Sequence, residues 1–178
     1  MIKFNYKLFF CIAILTLFSF QSFSEDAVVK NSFVSLGSNE ASVEIKVYSS
    51  LTCPHCADFH IKVIPEIIKN YVNSGKVKIV FFDFPLDQAA FNASKLVNCV
   101  DRKKSLSLLD VLYEKQNKWT EGSSIDVINK NLKAIVENMG INSSKFDQCI
   151  NNEAIADKIL NERINAHKKY SINSTPTI

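Results

Sequence analysis

Two cysteines separated by two residues, Cys53-Pro54-His55-Cys56, are the part of this chain best suited to chemistry. That gap lets the second sulfur close a disulfide onto the first. Placed at the start of a helix, the pair gains reactivity. Backbone N–H groups there point outward and the helix dipole is positive, so a thiolate is favoured over a thiol at the first position. The thiolate is the attacking species, and a stable thiolate is also a good leaving group. The flanking pattern predicts that placement. Ser42 to Tyr48 alternates, with Val43, Ile45 and Val47 on one face and Glu44, Lys46 and Tyr48 on the other, which is a strand period. Ser49 to Thr52 is a polar turn. Phe59, Val63, Ile67 and Tyr71 then recur at helical spacing, with Ile64 and Ile68 beside them. Pro54 falls at the first helical position, where its missing N–H is harmless, and His55 adds a donor or a positive charge beside Cys53.

Other chemistries fit less well. Haem attachment needs a histidine directly after the second cysteine, and that residue is Ala57. A metal site could recruit His60 to Cys53 and Cys56, but no second Cys-x-x-Cys supplies the missing ligands. A purely structural bridge over so short a gap is a poor staple. His60 and His167 read as plain surface or helix-face residues. The Asn-x-Ser/Thr sites at Asn92, Asn142 and Asn173 read as chance.

The rest of the chain must position the tetrad. The 178 residues, 47% hydrophobic, suit one domain or a domain with an insertion. Ala27 to Leu36 reads as an edge strand ending at Gly37. Pro65 predicts a kink in the helix after the tetrad, and Asn73-Ser74-Gly75 ends that helix. Val77 to Phe84 is a nearly continuous apolar strand stopped by Pro85, so strand, helix and strand form a βαβ unit with a parallel pair. From residue 88 to 170 the periods are helical, with helices expected at Gln88–Val100, Ser105–Gln116, Ile125–Met139, Ser144–Ile150 and Glu153–Tyr170. Gly140 reads as a C-cap, and Ser143 or Ser144 as an N-cap. The chain then returns through Ser171 to Ile178, a turn leading into a strand.

The first 24 residues read as a targeting signal. Lys3 and Lys7 precede an apolar run, Leu8 to Phe20, and Ser22-Phe23-Ser24 supplies small residues for cleavage. The alternative is an uncleaved anchor, but the run is shorter than the roughly 20 residues a membrane span takes. Export would put the remainder where disulfides persist. Without Lys3 and Lys7 the net charge falls from +3 to +1, no footprint for nucleic acid or an anionic membrane. Cys53, Cys56, Cys99 and Cys149 remain, and four cysteines allow three pairings. The spacing favours Cys53 with Cys56 and a structural Cys99–Cys149 bridge, with two free buried thiols as the alternative.

Taken together, these motifs resemble the DsbA family of periplasmic thiol–disulfide oxidoreductases. The resemblance runs from Phe33 to Ile178. It is carried by Leu36-Gly37-Ser38, Tyr48-Ser49-Ser50, the tetrad, Phe84-Pro85-Leu86, Cys99, Tyr113-Glu114-Lys115-Gln116, Trp119, Phe146-Asp147-Gln148-Cys149 and Ser174-Thr175-Pro176-Thr177. It implies an α/β thioredoxin fold with an inserted α-helical domain. On that scheme residues 1–24 are the signal, 25–86 the first part of the thioredoxin fold, 87–165 the insertion, and 166–178 the second part. Relatives continue beyond the equivalent of Ile178, so the fold is expected to be truncated at the C-terminus. Some relatives carry a second disulfide in the insertion, which supports Cys99–Cys149. By the same likeness Thr175–Pro176 should be cis and packed beside Cys53, with Thr175 backbone groups pairing a substrate strand. The resemblance further implies reduced or misoxidised exported proteins as substrates, and reoxidation by a DsbB-like membrane thiol oxidase. It implies a monomer, no cofactor and a periplasmic location. A reductase or isomerase using the same cysteines is the alternative activity. One departure stands out: where many relatives place a buried acid that serves the second cysteine, this chain has Val47, and Glu44 lies on the opposite strand face.

Overall fold

A computed structural model describes residues 34–178. The expected signal, and the expected strand before Val34, lie outside the described residues. Strands β1 (Val34–Leu36), β2 (Val43–Ser49) and β3 (Val77–Asp83) form a sheet in the order β1-β3-β2. β2 and β3 run parallel, with Val43 opposite Val77, Val47 opposite Phe81 and Ser49 opposite Asp83. β1 pairs with β3 antiparallel. Gly37 turns the chain after β1 at φ +99°, and a Cβ there would meet the Val77 carbonyl oxygen at 2.5 Å. The central strand β3 is covered on both faces, which explains its nearly continuous apolar run. On one side Val47 and Ile79 join the main core; on the other, Tyr48 and Phe84 pack with Ala166 and Ile172.

The helix after the tetrad is composite. It comprises α1 (Pro54–Asp58), a π-turn over Phe59–Val63, α2 (Ile64–Ile67) and a second π-turn over Ile68–Val72. Pro65 therefore sits in the first turn of α2, where it breaks least. The preceding turn is widened, with the Ile64 N–H bonded to the Phe59 carbonyl five residues back.

The helical stretch contains α3 (Gln88–Cys99), α4 (Arg102–Glu114), α5 (Gln116–Trp119), α6 (Ile125–Asn138), α7 (Ser143–Ile150) and α8 (Glu153–Tyr170). The helix expected to end at Gln116 stops at Glu114; Lys115 leaves helical geometry and Gln116 opens α5. The cap of α7 is Asn142, whose side chain accepts from the Lys145 N–H at 2.9 Å, so Ser143 already lies inside the helix. Gly140, at φ +76°, takes the left-handed position after α6. α8 runs unbroken across the expected junction at residue 165.

Leu96, Leu108, Leu112, Trp119, Leu132 and Val136 are fully buried and join the helices to the sheet in one core. Each such aliphatic side chain contributes roughly 1.5–3 kcal/mol. Cys99, at the end of α3, is bonded to Cys149 in α7 across a sequence separation of 50. A loop of that length implies roughly 4 kcal/mol from chain entropy, less in practice where the native geometry is imperfect. Replacing both cysteines by alanine is expected to lower unfolding free energy in urea by about 2–4 kcal/mol. An unchanged midpoint would show that the bridge carries no stability.

Candidate active site

The tetrad sits where β2 gives way to α1. Ser50 is buried, and its hydroxyl accepts from the Leu86 N–H at 3.3 Å. Thr52 donates to the Asp87 carboxylate at 2.7 Å, and the Cys53 N–H reaches the Ser50 carbonyl at 3.1 Å. These bonds tie the turn to the segment after β3. Cys53 is the N-cap of α1 and Pro54 its first residue. The Cys56 and Ala57 N–H groups donate to the Cys53 carbonyl at 3.1 and 3.2 Å. Both sulfurs are free thiols; 8% of Cys53 is exposed against 1% of Cys56.

The facing wall comes from the end of the chain. Tyr48 and Thr177 exchange backbone hydrogen bonds of 2.8 and 3.1 Å, which hold the last residues against β2. The Thr175–Pro176 bond is cis. The Cys53 thiol lies 3.4 Å from the Thr175 carbonyl and donates to it. Thr175 Oγ1 is buried with no other partner, so it is available to donate to a sulfur.

The environment pushes the two thiols apart. Burial works against ionisation of Cys53, but it is outweighed by hydrogen bonds from Thr175, the Cys56 thiol, and the backbone N–H groups of Cys56 and His55. The net effect lowers the Cys53 pKa. Cys56 is pushed up to about 11, chiefly by burial and further by its neighbour Cys53. The His55 side chain is exposed, as is Pro54. His55 acts on Cys53 through its backbone N–H rather than through ring charge.

One expectation is corrected. His60 is buried at 8% exposure, bonded to the Asp110 carboxylate at 2.7 Å and packed against Phe81 and Tyr113. Its polar ring is tolerated because Asp110, far away in sequence, supplies a partner. The suggested ligand set of Cys53, Cys56 and His60 does not assemble; among the described residues no three His, Cys, Asp or Glu side chains are placed to hold a metal. His167 stays exposed on α8 and its Nδ1 lies 3.0 Å from the Ile172 carbonyl.

Val47 is buried and apolar, and Glu44 is exposed and paired with Lys46 and Lys78, so β2 offers Cys56 no acid. One positioning residue escaped the pattern analysis. Gln116, buried in α5, donates to the carbonyls of Leu51 at 2.8 Å and Cys53 at 3.0 Å, fastening the tetrad to the helical stretch. Its only signal was its place in the Tyr113-Glu114-Lys115-Gln116 segment.

Comparison with known proteins agrees with this geometry. The family model described as Thioredoxin matches residues 30–178. A curated relative from Rickettsia conorii, named "Putative protein-disulfide oxidoreductase", is 30% identical over 121 residues, covering 67% of this chain and 43% of its own. The crystal structure of Wolbachia pipientis alpha-DsbA1 matches with a TM-score of 0.74 at 30% identity, covering 82% of this chain and 73% of that one. The chain belongs to the DsbA family of thioredoxin-fold proteins. BdbD from Bacillus subtilis shares the fold, with a TM-score of 0.70 at 23% identity over 82% of this chain and 79% of its own. This DsbA-family chain spans less than half the length of the Rickettsia relatives it matches.

The split thiols set a pH dependence for the reduced protein. Cys53 is depressed in the fold, so its ionisation adds stability that is complete above the ordinary cysteine value of about 8.5 and is lost as pH falls through the folded value. Cys56 acts in the opposite sense: the stability linked to its raised value is present below the ordinary one and is lost as pH rises through about 11. Urea unfolding of the reduced protein is therefore expected to show stability rising from acid pH toward about pH 8, relative to Cys53→Ala. Parallel pH profiles for the two proteins would mean that Cys53 is not depressed.

Proposed function

We propose that this protein is a thiol–disulfide oxidoreductase that introduces disulfides into exported proteins, with Cys53 as the nucleophile and Cys56 as its resolving partner. The observation that carries this reading is the polarised pair: a sulfur at the N-terminus of α1 with a lowered pKa, facing the Thr175 carbonyl, beside a more deeply buried sulfur with a raised one. Favouring the Cys53 thiolate favours the reduced form, which makes the disulfide form the better oxidant.

In the proposed cycle a substrate thiolate attacks Cys53 Sγ. The Cys53–Cys56 bond breaks, and Cys56 leaves with the electron pair and takes up a proton. A second substrate thiolate then attacks the substrate sulfur joined to Cys53. The substrate disulfide forms, and Cys53 departs as a thiolate. Two electrons have passed from substrate to protein, and a DsbB-like membrane thiol oxidase removes them. Thr175 and Pro176 would line an extended substrate segment beside Cys53. The Cys99–Cys149 bridge ties α3 to α7 within the helical insertion, residues 87–165, which on this reading interrupts the thioredoxin part at 25–86 and 166–178. The basic and apolar N-terminal residues support export to the periplasm. The protein acts as a monomer in this scheme.

The test is direct. Oxidised protein mixed with a reduced, unfolded protein carrying several cysteines should consume two substrate thiols per active-site disulfide. Cys53→Ser should reduce the rate by at least about a hundredfold, since the nucleophile is gone. Cys56→Ser joined as a mixed disulfide to a substrate with a single cysteine should stay trapped, because neither Cys56 nor a second substrate thiolate can attack it. Unchanged substrate thiols with wild-type protein would end the oxidase reading. Preferential reshuffling of a scrambled substrate would favour an isomerase instead.

A further inference from the structure

Thr175 walls Cys53 on one side, so a polypeptide held at that sulfur must continue across another surface. On the helical side the tetrad turn opens onto a groove of about 370 Å³. Its lining runs from Thr52, the residue before Cys53, to Asp87 and Gln88 at the start of α3, and to Thr120, Ser123 and Ser124 ahead of α6. Half-buried Ile125 and Ile128 add an apolar strip, against which the methylene stem of a lysine or arginine can lie.

Both walls are hydrogen-bonded to residues around the nucleophile. In the first, the Thr52 hydroxyl donates to Asp87 Oδ2 at 2.7 Å, and Asp87 Oδ1 accepts from the Ala90 N–H at 2.7 Å, which fixes the carboxylate. In the second, the Thr120 hydroxyl donates to the Gln116 carbonyl at 2.8 Å, and the Gln116 side chain donates to the Cys53 carbonyl at 3.0 Å. The loop beyond Thr120 is pinned by Asn131 Nδ2, which donates to the Glu121 carbonyl at 2.7 Å. It turns at Gly122, whose φ of +142° few other residues adopt. The groove is therefore set relative to Cys53 before anything binds, which lowers the ordering cost of a chain laid along it. An extended chain advances about 3.3 Å per residue. A residue two or three places from a cysteine held at Cys53 therefore reaches Asp87.

The charge of the groove is one-sided. Among the described residues Asp87 is the only charged one lining it, and it is exposed. Glu121 and Asp126, also exposed, adjoin the other wall, and residues 120–128 contain no Lys, Arg or His. We propose that this groove is a substrate subsite, which selects reduced chains with a lysine or arginine two or three residues from the reacting cysteine. The inference rests on the thiol–disulfide reading above and adds a sequence preference to it. The cation lies by the Asp87 carboxylate, whose oxygens keep acceptor capacity beyond the bonds from Thr52 and Ala90. Sulfur exchange at Cys53 proceeds as in the cycle above.

Charge in an exposed groove steers and aligns a partner more than it tightens the complex. The gain therefore belongs in the rate at which a substrate thiolate reaches Cys53. A glutamate at the same substrate position meets like charge and slows that approach. The neighbouring groove, on the far side of Leu86, is lined by Arg163, His167 and Lys168, so a preference for cations is tied to the Asp87 side.

The experiment mixes oxidised protein with reduced peptides carrying two cysteines, identical except for Lys or Glu placed two residues to either side of each cysteine. Loss of oxidised protein is followed by mass after acid quenching. Each rate is divided by that of the same peptide with glutathione disulfide, which removes the effect of the charge on the peptide thiol itself. The normalised rate is expected to be about fivefold higher for the lysine peptide. That preference should vanish in about 1 M salt, where charges are screened within roughly 3 Å. Asp87→Asn keeps an oxygen for the Ala90 N–H and should cut the preference to about twofold or less. Glu66→Gln, which removes an exposed acid on α2, should leave it intact. Ser123→Trp, at an exposed position, fills the groove; it should slow both peptides about fivefold while reduction by dithiothreitol stays within about twofold of wild type. If Asp87→Asn fails to fold, Ser123→Trp decides. Equal normalised rates in wild type, an unchanged preference in Asp87→Asn, or unslowed peptides in Ser123→Trp would overturn the inference. A wild-type protein reduced by dithiothreitol but by neither peptide would instead overturn the oxidoreductase reading on which it rests.

Discussion

The Cys53 sulfur lies between the N-terminus of α1 and the Thr175 carbonyl, and the rest of the described fold holds that arrangement. A thiolate can be favoured there only if N–H groups point at the sulfur and little water competes with them. The parallel pairing of β2 with β3 sets the end of β2, and so the start of α1. Two backbone hydrogen bonds between Tyr48 and Thr177 bring up the proline loop from the other end of the chain. Gln116 fixes the carbonyls of Leu51 and Cys53 from behind. Sheet, chain end and helical stretch thus each supply one constraint on a single turn.

The same burial that shapes Cys53 creates the demand at Cys56. Desolvation acts on both sulfurs, but only Cys53 receives enough donors to overcome it. In the proposed cycle Cys53 is the attacking group, and Cys56 is a strongly basic leaving group whose proton must be managed. With Val47 in the core, β2 supplies no acid for that proton; Asp83, Asn98 and Lys158 form a hydrogen-bonded polar cluster at the end of β3.

What was legible in the chain follows from the range of the interactions. The tetrad, its strand and the helical stretch are local patterns, and they appear within a few residues of their expected bounds. Asn142 displaced Ser143 and Ser144 as a cap because Asn and Ser both cap well and only chain geometry chooses among the three positions. His60 was misplaced because its burial depends on Asp110, which no local period reveals. Gln116 is a single polar residue whose partners lie more than sixty positions away. The proline loop was reachable only through family resemblance, since Thr175 meets Cys53 across 122 positions.

The central claim is that the fold drives the two active-site thiols to opposite extremes. Absorbance at 240 nm, which reports thiolate, can be followed against pH in the reduced protein with the oxidised protein as reference. Two separate ionisations are predicted: one below the ordinary cysteine value of about 8.5, absent in Cys53→Ala, and a second near 11. A single transition of both thiols near that ordinary value would contradict the account.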